Sequence, residues 1–385
     1  MEMSMVNANP AGFLSLYPKM PFVKEIQEGK VKICTSRGVF YNPHMELCRD
    51  LSSLCVGAIG GRLSVADVMC ATGVRGLRYR KENKNVRSLH LSDISAKAVA
   101  CARKNAKLNK IRCQIKKADA CIVLRENSFD FVELDPFGSP QPFLHCAALS
   151  LCRLKKGYLS VTATDMPVLC GTQHSACIKN YGAIPLNNEF CHENAARILV
   201  GRAIMEFAPF NLSATPIFTL SHRHYIKIVL TVSRSASKAV EAVKSLGFIS
   251  YCHSCCWRVA EKLPSQNLCP HCQSKLQKAG PMYLGKLWDG EVIPKMLLLN
   301  AQRKTRNSAQ AEKILDAIRK ESEIEAQGYY DLHTLAKKNL SAIIAIDKAI
   351  LMLQQAGFQA CRTHFCPTAI RTNAPHAEVA RLVKK

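Results

Sequence analysis

The sequence predicts an α/β protein: a doubly wound, mainly parallel sheet, followed by a smaller α+β accessory domain. Three observations predict it. Between about residues 63 and 164, short apolar runs alternate with single helical stretches, which makes neighbouring strands parallel. The strand-length runs lead one after another into an acidic residue, the place where an open parallel sheet holds its ligand. After about residue 233 the alternation stops and a Cys-rich segment begins.

The elements follow in order. Residues 64–70 read as a strand leading into the small-residue turn Thr72-Gly73-Val74-Arg75-Gly76. A second strand, 86–91, ends in Ser92-Asp93, and the helix expected at 95–108 has Ser95 as its N-cap. Residues 112–116 form a short strand that runs on to Ala118-Asp119-Ala120. The run 129–134 is a buried strand before Asp135, with a helix expected at 140–152 and a strand at 157–164. Two further β-rich runs, 214–220 and 225–232, suit closing antiparallel strands. The small polar stretch 233–238 marks the domain boundary, dividing 1–235 from 236–385. Helices are expected near 308–326 and 331–356.

Composition narrows the class. The chain has 385 residues, enough for two cores, with 48% hydrophobic and 21% charged residues, as in a folded globular protein. Lys and Arg number 53 against 29 Asp and Glu, a formal charge of +24. An excess of that size points to a polyanionic partner, with nucleic acid the default. The polar start, residues 1–10, lacks the pattern of a secretory signal. The late apolar stretch 340–353 is interrupted by Asp347 and Lys348, so it reads as an amphipathic helix and not a membrane span. Nineteen cysteines in such a chain are expected as thiols in a reducing cytoplasm, some of them holding metal. Nothing in the sequence calls for an obligate protein partner.

Chemistry concentrates at Asp135-Pro136-Phe137-Gly138-Ser139-Pro140. An acid-Pro-aromatic corner at a strand end can grip an exocyclic amine on a flat ring. Asp135 accepts one hydrogen bond, a carbonyl at the Pro136 kink accepts a second, and Phe137 stacks on the base. The turn after the first strand has neither the G-x-G-x-x-G spacing nor a P-loop lysine. Asp93 suits ribose hydroxyls and Asp119 an adenine N6 amine. A cofactor with ribose and adenine but no pyrophosphate is S-adenosylmethionine.

A separate signal lies at Cys252-His253-Ser254-Cys255 and Cys269-Pro270-His271-Cys272, two C-x2-C knuckles thirteen residues apart. That spacing fits a tetrahedral structural zinc site with no open position, in a ribbon spanning about 248–280. Cys256, His253 and His271 stand close enough in sequence to replace one of the four cysteines.

With these residues in view, the chain resembles the tRNA (guanine-26, N2)-dimethyltransferase family. The likeness runs through Glu28-Gly29-Lys30, Ser36-Arg37-Gly38-Val39-Phe40-Tyr41-Asn42-Pro43, Ala71 to Arg78 and the Asp135 corner. It continues through Val161-Thr162-Ala163-Thr164-Asp165, Leu169-Cys170-Gly171, Cys191-His192-Glu193, Arg197 to Gly201 and His224-Tyr225, and ends with Arg362 to Phe365, Pro367 and Arg371 to Pro375. The resemblance implies a class I methyltransferase (Rossmann-like) sheet and a C-terminal domain peculiar to these enzymes. By position it implies that Arg37, Arg75, Asp93, Asp119 and Ala120 bind S-adenosylmethionine and that Asp135 is the catalytic acid. The implied substrate is tRNA, methylated once or twice on guanine N2. Zinc rests on this chain's own spacing, because only part of the family carries those cysteines. Two other readings remain open on the residues: an amine methyltransferase acting on adenine N6, and a non-catalytic zinc-containing RNA-binding protein.

Overall fold

The computed structural model describes residues 25–382. The polar segment 1–10, read above as lacking a secretory signal, lies outside the described residues. The chain opens with the hairpin β1 (Glu25–Glu28) and β2 (Val31–Cys34) and helix α1 (Glu46–Ala58). Then come β3 (Leu63–Asp67), α2 (Val74–Glu82), β4 (Val86–Asp93), α3 (Ala96–Leu108), β5 (Gln114–Lys117) and α4 (Ala120–Glu126). β6 (Phe131–Leu134), α5 (Gln141–Leu151) and β7 (Lys156–Ala163) follow, then the short α6 (Met166–Leu169), α7 (His174–Tyr181) and the long α8 (Cys191–Phe207). The hairpin β8 (Leu212–His222) and β9 (Tyr225–Arg234) completes a seven-stranded sheet ordered β5-β4-β3-β6-β7-β9-β8. Neighbours from β5 to β7 run parallel, and β9 and β8 close the edge antiparallel. The expected doubly wound sheet with a closing hairpin is therefore present, and Ser95 caps α3 through the Ala98 amide.

The C-terminal part holds α9 (Ala236–Lys244) and a three-stranded sheet of β10 (Leu246–Tyr251), β11 (Arg258–Glu261) and β12 (Gln277–Tyr283). After it come α10 (Val292–Arg303), α11 (Ser308–Ser322), β13 (Tyr330–Asp331), α12 (Leu332–Lys338) and α13 (Ile346–Gln355). The chain ends with β14 (Ala360–Arg362), β15 (Ala369–Thr372) and α14 (His376–Leu382). At the stretch expected as a boundary the backbone stays tied to the sheet: Arg234 N–H donates to Lys155 O at 3.0 Å, and Ser235 N–H to Asn211 O at 2.8 Å. One apolar core runs from the large sheet into the C-terminal helices. Helix α8 sits between them, and small residues let it approach: a Cβ on Gly201 would stand 3.3 Å from the Met282 Cα.

Three expectations need correction. The first strand stops at Asp67, not Cys70, because Cys70 already turns inward, its N–H donating to Ser92 O and its carbonyl accepting from Gly73. The stretch 331–356 is two helices. Leu340 takes a left-handed φ of 48° while Ser341 N–H returns to Ala336 O, so α12 ends there and the amphipathic helix begins only at Ile346. The thiols are not all free, since Cys121 in α4 and Cys146 in α5 form a disulfide.

A buried ionic network pins the two parts together. Arg371 on β15 donates to Glu193 of α8 at 2.5 Å and to Glu321 of α11 at 3.1 Å. Glu193 also accepts from Arg197 at 2.9 Å and the Gly328 amide at 2.8 Å, while Glu321 accepts from Thr363 and His364. Burial works against the Glu193 carboxylate, but Arg371 and Arg197 outweigh it and hold its pKa at about 2. Its folded value lies below the ordinary 4.5, so its contribution to stability is full above that value and is lost as pH falls through about 2. Arg371→Met leaves Glu193 and Glu321 short of a cation and is expected to cost about 3–5 kcal/mol in urea unfolding at pH 7. The deficit relative to wild type should shrink as the pH is lowered from 5 toward 2.

Candidate active site and metal centre

β6 is buried along its length, and Asp135 is the first residue to leave it. Strand register fixes what surrounds it. Glu133 lies beside Asp67 of β3 and Ser160 of β7, and Leu134 lies beside Val161, so Asp135 emerges level with Thr162. Thr162 in turn pairs with Lys227 on β9. The side chains close into a ring. Arg75 donates to Asp135 at 2.5 Å and its Nε stands 3.7 Å from Glu133, while Lys227 donates to Glu133 and to Thr162 Oγ1 at 3.1 Å. Thr162 stands level with Asp135 across the strand ends and helps to keep that carboxyl low. Tyr79 donates to the other Glu133 oxygen at 2.8 Å, and Ser52 accepts from Arg75 at 3.2 Å.

Electrostatics follow from that ring. Burial alone would raise the Asp135 carboxyl, but Arg75 and Lys227 outweigh it and hold it below the usual carboxylate range. Asp67 shows the opposite outcome. Burial and the neighbouring Glu133 push it up to about 7, although it accepts the Gly76 amide at 3.1 Å. One strand-end acid is thus kept charged while its neighbour titrates near neutrality.

The rest of the corner is tied to the end of β7. Gly138, at a left-handed φ of 78°, exchanges two hydrogen bonds with Thr164, at 2.8 and 3.0 Å. Ser139 meets the Tyr181 hydroxyl at 2.8 Å, and that hydroxyl donates to Asp165. Phe137 is 68% exposed and meets Phe40 edge-to-face at 4.7 Å. Exposed aromatic carbon beside an ionised acceptor is a seat for a flat, hydrogen-bonding ring.

The expected cofactor residues spread along the neighbouring strand ends. Asp93 closes β4 and accepts the Ala71 amide at 2.9 Å and the Ser95 amide at 2.8 Å, so it shapes the turn after β3. Gly73 takes a φ of 78° in that turn, and a Cβ on Gly76 would come within 2.5 Å of Leu91. Asp119 is the N-cap of α4, with Oδ1 accepting the Cys121 and Ile122 amides, and Ala120 begins that helix. Arg37 is exposed in the turn after β2. Arg75 is turned inward to Asp135, Glu133 and Ser52. The sequence reading missed Phe40, Glu133, Thr162 and Lys227 as parts of the site. A lysine within the apolar run 225–232 and a glutamate within 129–134 were the available signals, since a buried charge needs a buried partner.

The four expected zinc cysteines converge. The sulfurs of Cys252, Cys255, Cys269 and Cys272 lie within 4.8 Å of one another. Cys252 and Cys272 are 3.4 Å apart, and Cys255 and Cys269 are 3.6 Å apart. Each knuckle folds the same way: Cys256 N–H donates to Cys252 O and Gln273 N–H to Cys269 O, with Cys256 and Gln273 both at positive φ. The possible substitutes are engaged elsewhere, His253 with Gln277, His271 against His376, and the Cys256 thiol with Tyr251. Cys252, Cys255 and Cys269 sit in a small separate cluster with Leu276 and Trp257, too little apolar surface to hold a ribbon unaided. The donor set fits zinc. Cys170, Cys191 and His192 also bring three ligand atoms within 4.8 Å behind α6.

Asp93→Ala removes acceptors from two backbone amides and is expected to cost about 1–3 kcal/mol in chemical unfolding even without any ligand present. A stability equal to wild type would leave Asp93 no part in shaping the turn.

Comparison with known proteins agrees with this architecture. The family model described as N2,N2-dimethylguanosine tRNA methyltransferase matches residues 22–384. The tRNA (guanine(26)-N(2))-dimethyltransferase of Methanobrevibacter smithii is 34% identical over 380 residues, covering 94% of this chain and 97% of that protein. The tRNA (guanine(26)-N(2)/guanine(27)-N(2))-dimethyltransferase of Aquifex aeolicus is 36% identical over 382 residues, covering 94% and 95%. The solved complex of Trm1 from Pyrococcus horikoshii with S-adenosyl-L-methionine superposes with a TM-score of 0.87 at 32% identity, covering 94% of this chain and all of that one.

Proposed function

The chain belongs to the N2,N2-dimethylguanosine tRNA methyltransferase family, and on that premise we propose how its residues methylate the exocyclic N2 of guanine 26 in tRNA. The observation that carries the reading is Asp135, an acceptor kept ionised by Arg75 at the end of β6, beside the exposed ring of Phe137. Guanine N2 is a poor nucleophile because its lone pair is delocalised into the ring. Asp135 accepts from one N2–H, the carbonyl at Pro136 from another, and the pair turns the lone pair out of the ring plane. S-adenosylmethionine, when bound, supplies an electrophilic methyl group. The aimed N2 would take that methyl as its bond to the sulfonium sulfur breaks, leaving the thioether S-adenosylhomocysteine, and the surplus N–H proton would leave through the Asp135 carboxylate. Orientation supplies much of the rate, and the proton transfer roughly 10²–10⁴-fold.

Guanine 26 is flipped from its stack onto Phe137, with Phe40 as the second aromatic edge of the seat. Arg37, Arg75, Asp93, Asp119 and Ala120 form the cofactor side. Arg75 belongs to both sides, since it also holds Asp135. The tRNA backbone is gripped by the excess cations of both parts. Two adjoining hollows away from Asp135 share Arg306, one also lined by Lys30 and Lys304, the other by Arg223. Binding should therefore weaken steeply with salt. Cys252, Cys255, Cys269 and Cys272 hold zinc as a structural staple for the ribbon. Among the described residues no helix is long and apolar enough to cross a membrane. Thiolate zinc ligands and a tRNA substrate both favour a cytoplasmic location.

Incubation with unmodified tRNA and labelled S-adenosylmethionine, followed by digestion to nucleosides, should place the label in N2-methyl- and N2,N2-dimethylguanosine. Label in adenosine would favour the adenine N6 reading, and no label the non-catalytic one. Asp135→Ala should abolish transfer while cofactor affinity, measured by calorimetry, stays within about threefold of wild type. Cys252→Ser is expected to lower the bound zinc by one equivalent in metal analysis and to loosen the ribbon, with faster proteolysis between 252 and 276.

A further inference from the structure

We propose that Lys227 and Thr162 are positioning residues for methyl transfer: buried Lys227 acts on Asp135 through the Thr162 hydroxyl, fixing both its orientation and its charge. This rests on Asp135 being the catalytic acid. Lys227 is fully buried between Ile226 and Ile228 of β9, and its ammonium has two partners, Glu133 and Thr162. A staple between strands would need only Glu133. The second bond occupies the Thr162 oxygen as an acceptor, so its single proton is left to turn toward Asp135, which leaves β6 level with it. Arg75 approaches Asp135 from the helix side, through α2, and Thr162 from the sheet side, through β7. Two donors from different elements leave the carboxylate little freedom to rotate, and rotation is what would lose the aim on N2.

Several charged or ionisable groups face this ring. They are Arg75 and Tyr79 from α2, Glu133 from β6, Asp67 from β3, Tyr225 and Lys227 from β9, Cys48 and Cys55 from α1, and Asp289 ahead of α10. Arg75 and Lys227 balance Glu133 and Asp135, which is how Asp135 remains an anion in a partly buried setting. Glu133 then has the task of keeping Lys227 in place without claiming all of its donors. Asp67 is the one acid of the group that titrates near neutrality, so a change there is separable in pH from one at Asp135.

The test is the pH dependence of kcat under saturating tRNA and S-adenosylmethionine, from pH 3 to 8, together with cofactor affinity. Glu193, held at about 2, keeps the interdomain network charged throughout that window. Thr162→Val deletes the relay at near-constant volume and leaves the Lys227–Glu133 pair intact. It should lower kcat by about tenfold or more, leave cofactor affinity unchanged and move the acid limb upward by about one pH unit. Thr162→Ser and Lys227→Arg, which keep a hydroxyl and a cation, should restore most of the rate. Lys227→Met should act in the same direction as Thr162→Val; if it fails to fold because Glu133 is left unpaired, Thr162→Val decides alone. A Thr162→Val enzyme with wild-type kcat and acid limb overturns the proposal, whatever its stability. Asp135→Asn, run in parallel, separates the two readings. If it remains fully active, the catalytic role of Asp135 fails; if it is inactive while Thr162→Val is unaffected, only the relay fails.

Discussion

Everything at the active corner depends on four charges closing on one another, three of them buried and the fourth, Asp135, partly open to solvent. A glutamate and a lysine inside a sheet, and an aspartate and an arginine at its rim, would each be prohibitive alone. Joined as Glu133, Lys227, Asp135 and Arg75 they sum to zero. The fold is what permits the closure. β6 lies between β3 and β7, so Asp135 emerges beside Thr162, and the antiparallel return of β9 brings Lys227 alongside the same threonine. A parallel strand in that place would have carried the chain the other way and presented a different register to β7.

The same economy of charge recurs away from the corner. Glu193, Arg197, Thr363, His364 and Arg371 are far apart in sequence and share one network between α8, α11 and β15. At the opposite edge Glu28 bonds to Arg49 and Arg78, and Arg78 to Asp50 and Glu82. Neither network includes Asp135. Their residues hold the C-terminal part and the N-terminal hairpin against the sheet.

What could be read in the sequence was whatever chemistry is local. The apolar runs, the Ser95 cap and the two C-x2-C knuckles follow from neighbours a few residues away, and each appears where the pattern places it. The strand-end positions of Asp93, Asp119 and Asp135 were legible for the same reason. Lys227 was not, because a lysine in an apolar run says only that a partner exists, and the partner is ninety-four residues away. Phe40 was hidden similarly, its role depending on the turn after β2 folding over the corner. The split between α12 and α13 was missed because apolar spacing continues through Leu340, whose side chain nonetheless stands 96% exposed at a left-handed turn. The Cys121–Cys146 pair joins two helices that only the sheet order brings together.

A carboxylate held this firmly as an anion is a strong hydrogen-bond acceptor but a weak base, and the reaction needs that combination. An aromatic amine that has just gained a methyl is strongly acidic, so even a weak base removes its surplus proton; aiming the lone pair beforehand is the harder requirement. An acceptor-only group also counts hydrogens. Unmodified guanine offers two N2–H donors and the monomethylated base still offers one, so Asp135 can hold and aim both. The dimethylated base offers none, and a partly buried acceptor then faces a group that cannot bond to it, which favours release. A neutral, protonated aspartic acid could bond to an amine lone pair and would lack this discrimination. On the role proposed for Asp135, keeping it charged would therefore serve the endpoint of the reaction as well as its rate.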